Sequence, residues 1–272
     1  MAHPQIAAFA RLANGNAGST RNIAGQKTLL GRVTHGITYD PIHDEIKVPS
    51  QLAQSILTFK GSATGEETPI RVLQGPLTEL RDPDTMAEDP VHNEIFVPVG
   101  YAILVFNREA NGNAAPIRKL TPPGDPFRAG SMSVDPVHNL IVVGGSLGKG
   151  QQRLMIFNRT DQGNTAPKAM IGGPKSGYHN PGGPFAIYPP TGNIIVSIQG
   201  GGGDNNRSSE DSYVGVWNIK DNGDVPPRWK IGGPNGILRM PKGTVLDPKN
   251  KSLIVSDKRL NAVLTFSFPE IF

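Results

Sequence analysis

The sequence predicts an all-β repeat protein, and three observations carry that reading. One phrase recurs five times: YDPIHDEIKV from Tyr39, EDPVHNEIFV from Glu88, VDPVHNLIVV from Val134, YPPTGNIIVS from Tyr188 and LDPKNKSLIVS from Leu246. Around each copy, short apolar or alternating runs are parted by Asp-Pro, Asn-Gly and Gly-Pro, which are strand and turn signals. The third observation is compositional. The chain has 33 Gly and 25 Pro in 272 residues, above the roughly 12% that ordinary usage gives the pair, yet most fall at the recurring turns and not in a low-complexity tract.

Taken in order, the elements fit one unit. The chain opens on IAAFARLANGNAGSTRNI from Ile6, which reads as a strand, an Asn-Gly turn and a second strand at Ser19–Ala24. The same phrase returns as ILTFKGSATGEETPIRVL from Ile56, ILVFNREANGNAAPIRKL from Ile103, LMIFNRTDQGNTAPKAMI from Leu154 and VGVWNIKDNGDVPPRWKI from Val214, and its first half closes the chain as VLTFSF from Val263. In the second unit the four strands read TMAED, NEIFVPV, AILVFN and PIRKL. No stretch of about ten residues or more has helical apolar spacing. Successive anchors, Asp40, Asp89, Asp135, Tyr188 and Asp247, lie 49, 46, 53 and 59 residues apart. Four strands in such a unit make a β-propeller blade, whereas solenoid repeats are much shorter. There are five first, second and fourth strands and six third strands. The expectation is therefore a single domain, 1–272, of five four-stranded antiparallel blades, with N-terminal strands in 6–25 completing the C-terminal blade 237–268. A six-bladed ring with an incomplete blade is the alternative.

Composition excludes several classes. There is no cysteine, so disulfide scaffolds, thiolate zinc sites and cysteine nucleophiles are out. No apolar run approaches the roughly 20 residues of a spanning helix, and the start MAHPQIAAFARLANG has no signal-peptide pattern. A Gly/Asn/Thr-rich surface without cysteine suits an exported bacterial protein, should the chain as given begin downstream of its native start. The net charge is +4, but only 2 Trp and 5 Tyr are present, too few aromatics for an expectation of nucleic-acid binding by base stacking.

The run of an apolar strand to Asp-Pro, then Ile-x-Val, then Ile-x-Val-Phe-Asn resembles NHL-repeat propellers, and Ser256-Asp257 through Asn261-Ala262-Val263 is the closest single match. The superfamily also holds gluconolactonase-like and lyase propellers. The resemblance is at the level of repeats, and a fold of this kind hosts many functions. It implies that the monotonous first-to-second and third-to-fourth turns share one face. The variable connections, Gln51–Ser55, Gly144–Gln152 and Gly200–Ser212, would then share the other with the fourth-to-first loops. Variable loops on a rigid frame are where sites are built.

On that reading His43, His92 and His138, at one turn position in three repeats, close turns. His35 and His179 break the pattern. Aligned on the Asp-Pro anchor, His35 corresponds to Asp84, Gly130, Gly183 and Lys242, which would ring a channel mouth. Just upstream Arg32, Arg81, Arg128 and Arg239 recur, with Tyr178-His179-Asn180 in the remaining unit. Converging guanidinium groups suit carboxylate or phosphate, and Lys149, Arg153, Arg207, Lys258 and Arg259 would make the face basic. The leading expectation is a binding propeller for an anionic small molecule, peptide or glycan, contacted by Arg32, Arg81, Arg128, Tyr178 and Arg239. The alternative is a hydrolase or lyase at the channel mouth. His35 or His179 would act as base, Asp84 would orient it, and Lys242 or Arg239 would stabilise negative charge. The resemblance to propeller lactonases implies Asp84, Asn180 and Asp257 as ligands of a divalent cation such as Ca²⁺, although Lys242 would oppose a cation there. A structural interaction protein is the third reading.

Overall fold

A computed structural model describes residues 4–124, 126–148, 152–200 and 211–272; Lys149, Arg207 and most of the Gly200–Ser212 segment lie outside them. The fold is all-β, a β-propeller of antiparallel blades. Two strands, β1 (Gln5–Ala8) and β2 (Arg21–Ala24), precede the blades. The first blade is β3 (Thr38–Asp40), β4 (Glu45–Ser50), β5 (Ser55–Lys60) and β6 (Arg71–Gln74). The second is β7 (Ala87–Asp89), β8 (Glu94–Val99), β9 (Ala102–Asn107) and β10 (Arg118–Leu120). The third is β11 (Phe127–Asp135), β12 (Leu140–Leu147), β13 (Arg153–Asn158) and β14 (Ala169–Ile171). The fourth is β15 (Ala186–Tyr188), β16 (Asn193–Ile198), β17 (Tyr213–Asn218) and β18 (Trp229–Gly232). The last has three strands, β19 (Pro241–Asp247), β20 (Ser252–Asp257) and β21 (Ala262–Ser267). The chain divides into two compact units, Met1–Val99 with Leu104–Arg118, and Gly100–Ile103 with Lys119–Phe272.

The N-terminal strands lie ahead of the first blade in the chain. β1 and β2 pair with each other, Ile6 opposite Ile23, as a two-stranded sheet. Ile23 is 2% exposed among Ile46, Val48, Leu57, Phe59 and Ala63 of the first blade, so β2 spends its apolar side chain on the blade that follows it.

The Asp-Pro turns explain their own sequence. Asp40, Asp89 and Asp135 are fully buried. In each, one carboxylate oxygen accepts the N–H groups of the second and third residues onward. The other oxygen accepts Nδ1 of His43, His92 or His138 at 2.7–2.8 Å. Those histidines do close turns, and Asn250 replaces them on Asp247 in the last blade. The next residue is left-handed in every copy, at Asp44, Asn93, Asn139, Gly192 and Lys251. That conformation favours the Asn, Asp and Gly found at four of the five.

The Asn-Gly turns join blade to blade. Gly112 accepts a hydrogen bond from the Gln74 N–H and donates one to the Val72 carbonyl of the preceding fourth strand. Gly65, Gly163 and Gly223 bridge Ile23, Leu120 and Ile171 in the same parallel manner. Flanking side chains complete the joint. Asn111 Oδ1 accepts the Val72 N–H and Asn113 Oδ1 the Leu77 N–H, and Asn222 and Asp224 do the same for Met170 and Ser176.

Candidate functional site

The fourth-to-first loops share a construction that the sequence reading missed. Gly25, Gly75 and Gly173 have φ of 114°, 136° and 137°, reachable without strain only by glycine. Three residues on, Thr28, Thr78 and Ser176 are buried and donate their hydroxyls to those glycine carbonyls at 2.6–2.7 Å. The same hydroxyls accept the N–H groups of Leu30, Leu80 and Tyr178. This tight turn buries Leu80 and Tyr178 and leaves the next residue, Arg81 or His179, exposed. The signal was a Gly-x-x-Thr/Ser spacing ahead of an apolar residue.

Two grooves result, one in each unit. The first, of about 540 Å³, lies between Leu52, Ala53 and Gln54 of the β4–β5 turn and the segment from Gln74 to Arg81. The second, of about 280 Å³, is lined by Gln152 and by Gly173 to His179. In both, a second-to-third connection meets a fourth-to-first loop, as the repeat reading required. Arg81 is exposed at the rim of the first groove and has no hydrogen bond or ion pair among the described residues.

Two of the residues expected to ring a channel mouth, His35 and Asp84, come together within the first unit. His35, ahead of β3, places Nδ1 in hydrogen-bond contact with Asp84 Oδ1, ahead of β7. Their side chains are 61% and 45% exposed. An Asp that accepts Nδ1–H fixes the tautomer and leaves Nε2 as a lone-pair acceptor facing solvent. In the second unit the equivalent Gly183 sits against the Lys242 carbonyl, which also accepts Ser197 Oγ. His179 donates Nδ1–H to the Gly177 carbonyl at 2.8 Å.

Other expected site residues have structural work. Tyr178 is 3% exposed, its ring edge-on to Trp217 at 5.9 Å, and burial raises its phenol well above the ordinary value. Its side chain belongs to the core, not to a ligand face. Arg239 folds its guanidinium back onto the Gly236 and Leu238 carbonyls. Arg128 stacks on Tyr101 at 5.5 Å, and Arg32 is exposed. Asp257, 2% exposed, spends its carboxylate on the N–H groups of Arg239, Met240, Arg259 and Leu260. This is a turn anchor whose oxygens are committed. Asn180 faces the Gln199 and Gly200 carbonyls at 3.4 Å.

The densest ionic cluster was not anticipated. Carboxylate oxygens of Asp40, Glu45 and Glu88 lie within 4.8 Å of one another, and the Lys47 ammonium bonds Glu45 at 2.9 Å and also Glu88. Arg108 shares Glu45 Oε2 with Lys47, and Arg71 pairs with Oε1. Burial alone would raise the Glu45 carboxyl, but hydrogen bonds from Arg71, Lys47 and Arg108 hold it at about 2. Burial pushes Glu88 up, and Lys47 offsets this only in part. Lys47 stands in a column otherwise filled by Phe96, Val142, Ile195 and Ile254, which was the available signal.

No family model matches the chain, and no curated protein does either. In fold, 783 solved chains match. One is Kuenenia stuttgartiensis hydrazine synthase, with a TM-score of 0.61 and 13% identity, over 91% of this chain and 67% of that one. At that identity the likeness is one of fold. A fold shared so widely leaves function to the site.

Proposed function

We propose that this chain is a binding propeller that holds an anionic small molecule, peptide or glycan on its fourth-to-first loops. The supporting observation is the groove of about 540 Å³ beside Arg81. Leu52 and Pro76 offer it apolar surface, Gln54 an amide, and Arg81 an unengaged guanidinium that suits a carboxylate or phosphate in two-point contact. The NHL-like repeat pattern agrees with a binding role and adds no ligand. A thermal-shift and calorimetric titration with citrate, benzoate and inorganic phosphate tests the reading. Wild type should be stabilised by at least one anion, and Arg81→Ala should lose the response. An unchanged response in Arg81→Ala, or none in wild type, would sink it.

A second reading rests on the His35–Asp84 contact. An oriented, exposed imidazole could remove a proton from water or substrate, as a lactone hydrolase or lyase requires. Loss of ester or lactone turnover in both His35→Ala and Asp84→Asn would favour it, and turnover unaffected by either would end it.

A further inference from the structure

The lining of the first groove narrows the anion that it suits. Its charged side chains are one guanidinium, Arg81, and one carboxylate, Glu79. A ligand held at Arg81 with one negative charge meets a balanced lining, whereas every further charge is set against Glu79. Citrate and phosphate therefore suit the groove less well than a single carboxylate does. Uncharged hydrogen-bonding side chains are few. Gln74 Nε2 already donates to the Ala53 carbonyl at 2.8 Å and ties the two sides of the groove together, which leaves Gln54 as the other amide.

The remaining wall is apolar and open. Leu52 is 69% exposed, and Ala53 beside it and Pro76 on the other loop are exposed as well; all three line the groove. Both sides are set before a ligand arrives. The Gln54 N–H closes one turn onto the Gln51 carbonyl at 3.2 Å, and the Thr78 hydroxyl closes the other onto the Gly75 carbonyl at 2.6 Å, so little ordering remains to oppose binding. The second groove shows that the frame alone does not ask for this lining. There the second-to-third connection contributes Gln152, Gly177 stands in the place of Glu79, and His179 stands in that of Arg81.

We propose that this groove takes an aliphatic monocarboxylate, with its carboxylate on the Arg81 guanidinium and its hydrocarbon chain between Leu52 and Pro76. The proposal rests on the anion-binding reading above and adds the body of the ligand to its charge. A peptide C-terminus offers the same head group but also brings main-chain amides that need partners when water is displaced. Among the described residues Gln54 is the one side-chain amide of the lining not already engaged, so a plain chain fits better than a peptide. Each fully buried methylene strengthens binding about fourfold, which makes chain length the quantity to vary.

Calorimetric titration of the whole chain with acetate, butyrate, hexanoate and octanoate tests it. Affinity should rise about twofold or more per methylene through the series, since each is buried in part. Leu52→Ser should flatten that rise and leave acetate unchanged, whereas Arg81→Ala should weaken octanoate by about tenfold or more. Leu77, 60% exposed next to Pro76 and not part of the lining, is the control, and Leu77→Ser should leave the series as it is in wild type. A flat series in wild type, a rise that Leu52→Ser does not reduce, or tighter binding of citrate or of N-acetyl-Ala-Ala-Leu than of octanoate overturns the proposal. If the series is flat while citrate or phosphate binds and Arg81→Ala abolishes it, the anion-binding reading stands and the aliphatic ligand falls. If no anion binds, both fall.

Discussion

The first blade buries a lysine completely, and the last blade leaves a valine two-thirds exposed. Lys47 is 0% exposed in a column of aliphatic and aromatic residues, and Val263 is 67% exposed in a column whose other members are sealed. Polarity alone would invert both. What decides burial is the set of partners a side chain meets, not its own polarity. Lys47 is held inside by the carboxylates of Glu45 and Glu88, and Arg71 and Arg108 balance the charge of Glu45. Val263, on β21, keeps an apolar side chain in water.

The largest effect should come from Lys47→Ala, which strands Glu88 without its cation. Removing one partner of a buried ion pair costs about 3–5 kcal/mol, read as a lowered midpoint in urea. The double variant Lys47→Met with Glu88→Val should recover most of it, since an apolar pair can replace a buried ionic one. A single variant as stable as wild type would break the contrast. Leu154→Ala, in the sealed column, should cost about 2–5 kcal/mol by cavity formation.

Acid should act on the first blade. Glu45 titrates at about 2 in the folded protein against an ordinary 4.5, so its contribution is present above about pH 4.5 and lost as pH falls towards 2. Glu88 has the opposite sign. Its raised value means that stability present below about 4.5 is lost as pH rises through the folded value,. Denaturation between pH 2.5 and 7 should show a steep acid limb, and Glu88→Gln should keep that limb while flattening the neutral side. A flat profile in wild type would refute the assignment.

Smaller effects follow at the third blade and at β21. A Cβ at Gly145 would lie 1.9 Å from the Arg128 carbonyl oxygen, so Gly145→Ala must shift the β11–β12 ladder, at about 1–3 kcal/mol. Val263→Ala should change stability by no more than about 0.5 kcal/mol, as for other exposed sites. Equal losses at Leu154 and Val263 would break the contrast between the two side chains.

Strand order, blade spacing and the turn histidines were legible because each is a local pattern repeated several times. Asp40, Asp89 and Asp135 announced themselves through Asp-Pro, and Asn-Gly marked the third-to-fourth turns. Legibility ended where partners come from different blades. Nothing local to Tyr178 separates a core ring from a contact residue; that follows from Trp217 lying 39 residues onward. Asp257 read as a ligand because its four backbone donors are set by chain path and not by residue type. The His35–Asp84 contact was foreseen, since repeat alignment puts both at one position in adjacent blades. Lys47 and Glu88 broke two apolar columns at once, a pairing that column-by-column reading can find.

The glycine joints of the third-to-fourth turns impose an order in time. Each fastens the fourth strand of the blade before it, so the fastening for Ile23, Leu73, Leu120 and Ile171 lies 39 to 52 residues downstream, at Gly65, Gly112, Gly163 and Gly223. At roughly 5–20 residues per second of synthesis, every new blade leaves the ribosome unlatched for about 2–10 s. The exposed edge therefore travels along the nascent chain, always one blade behind the newest, and its lifetime is set by translation speed across the interval and by no residue in the strand itself.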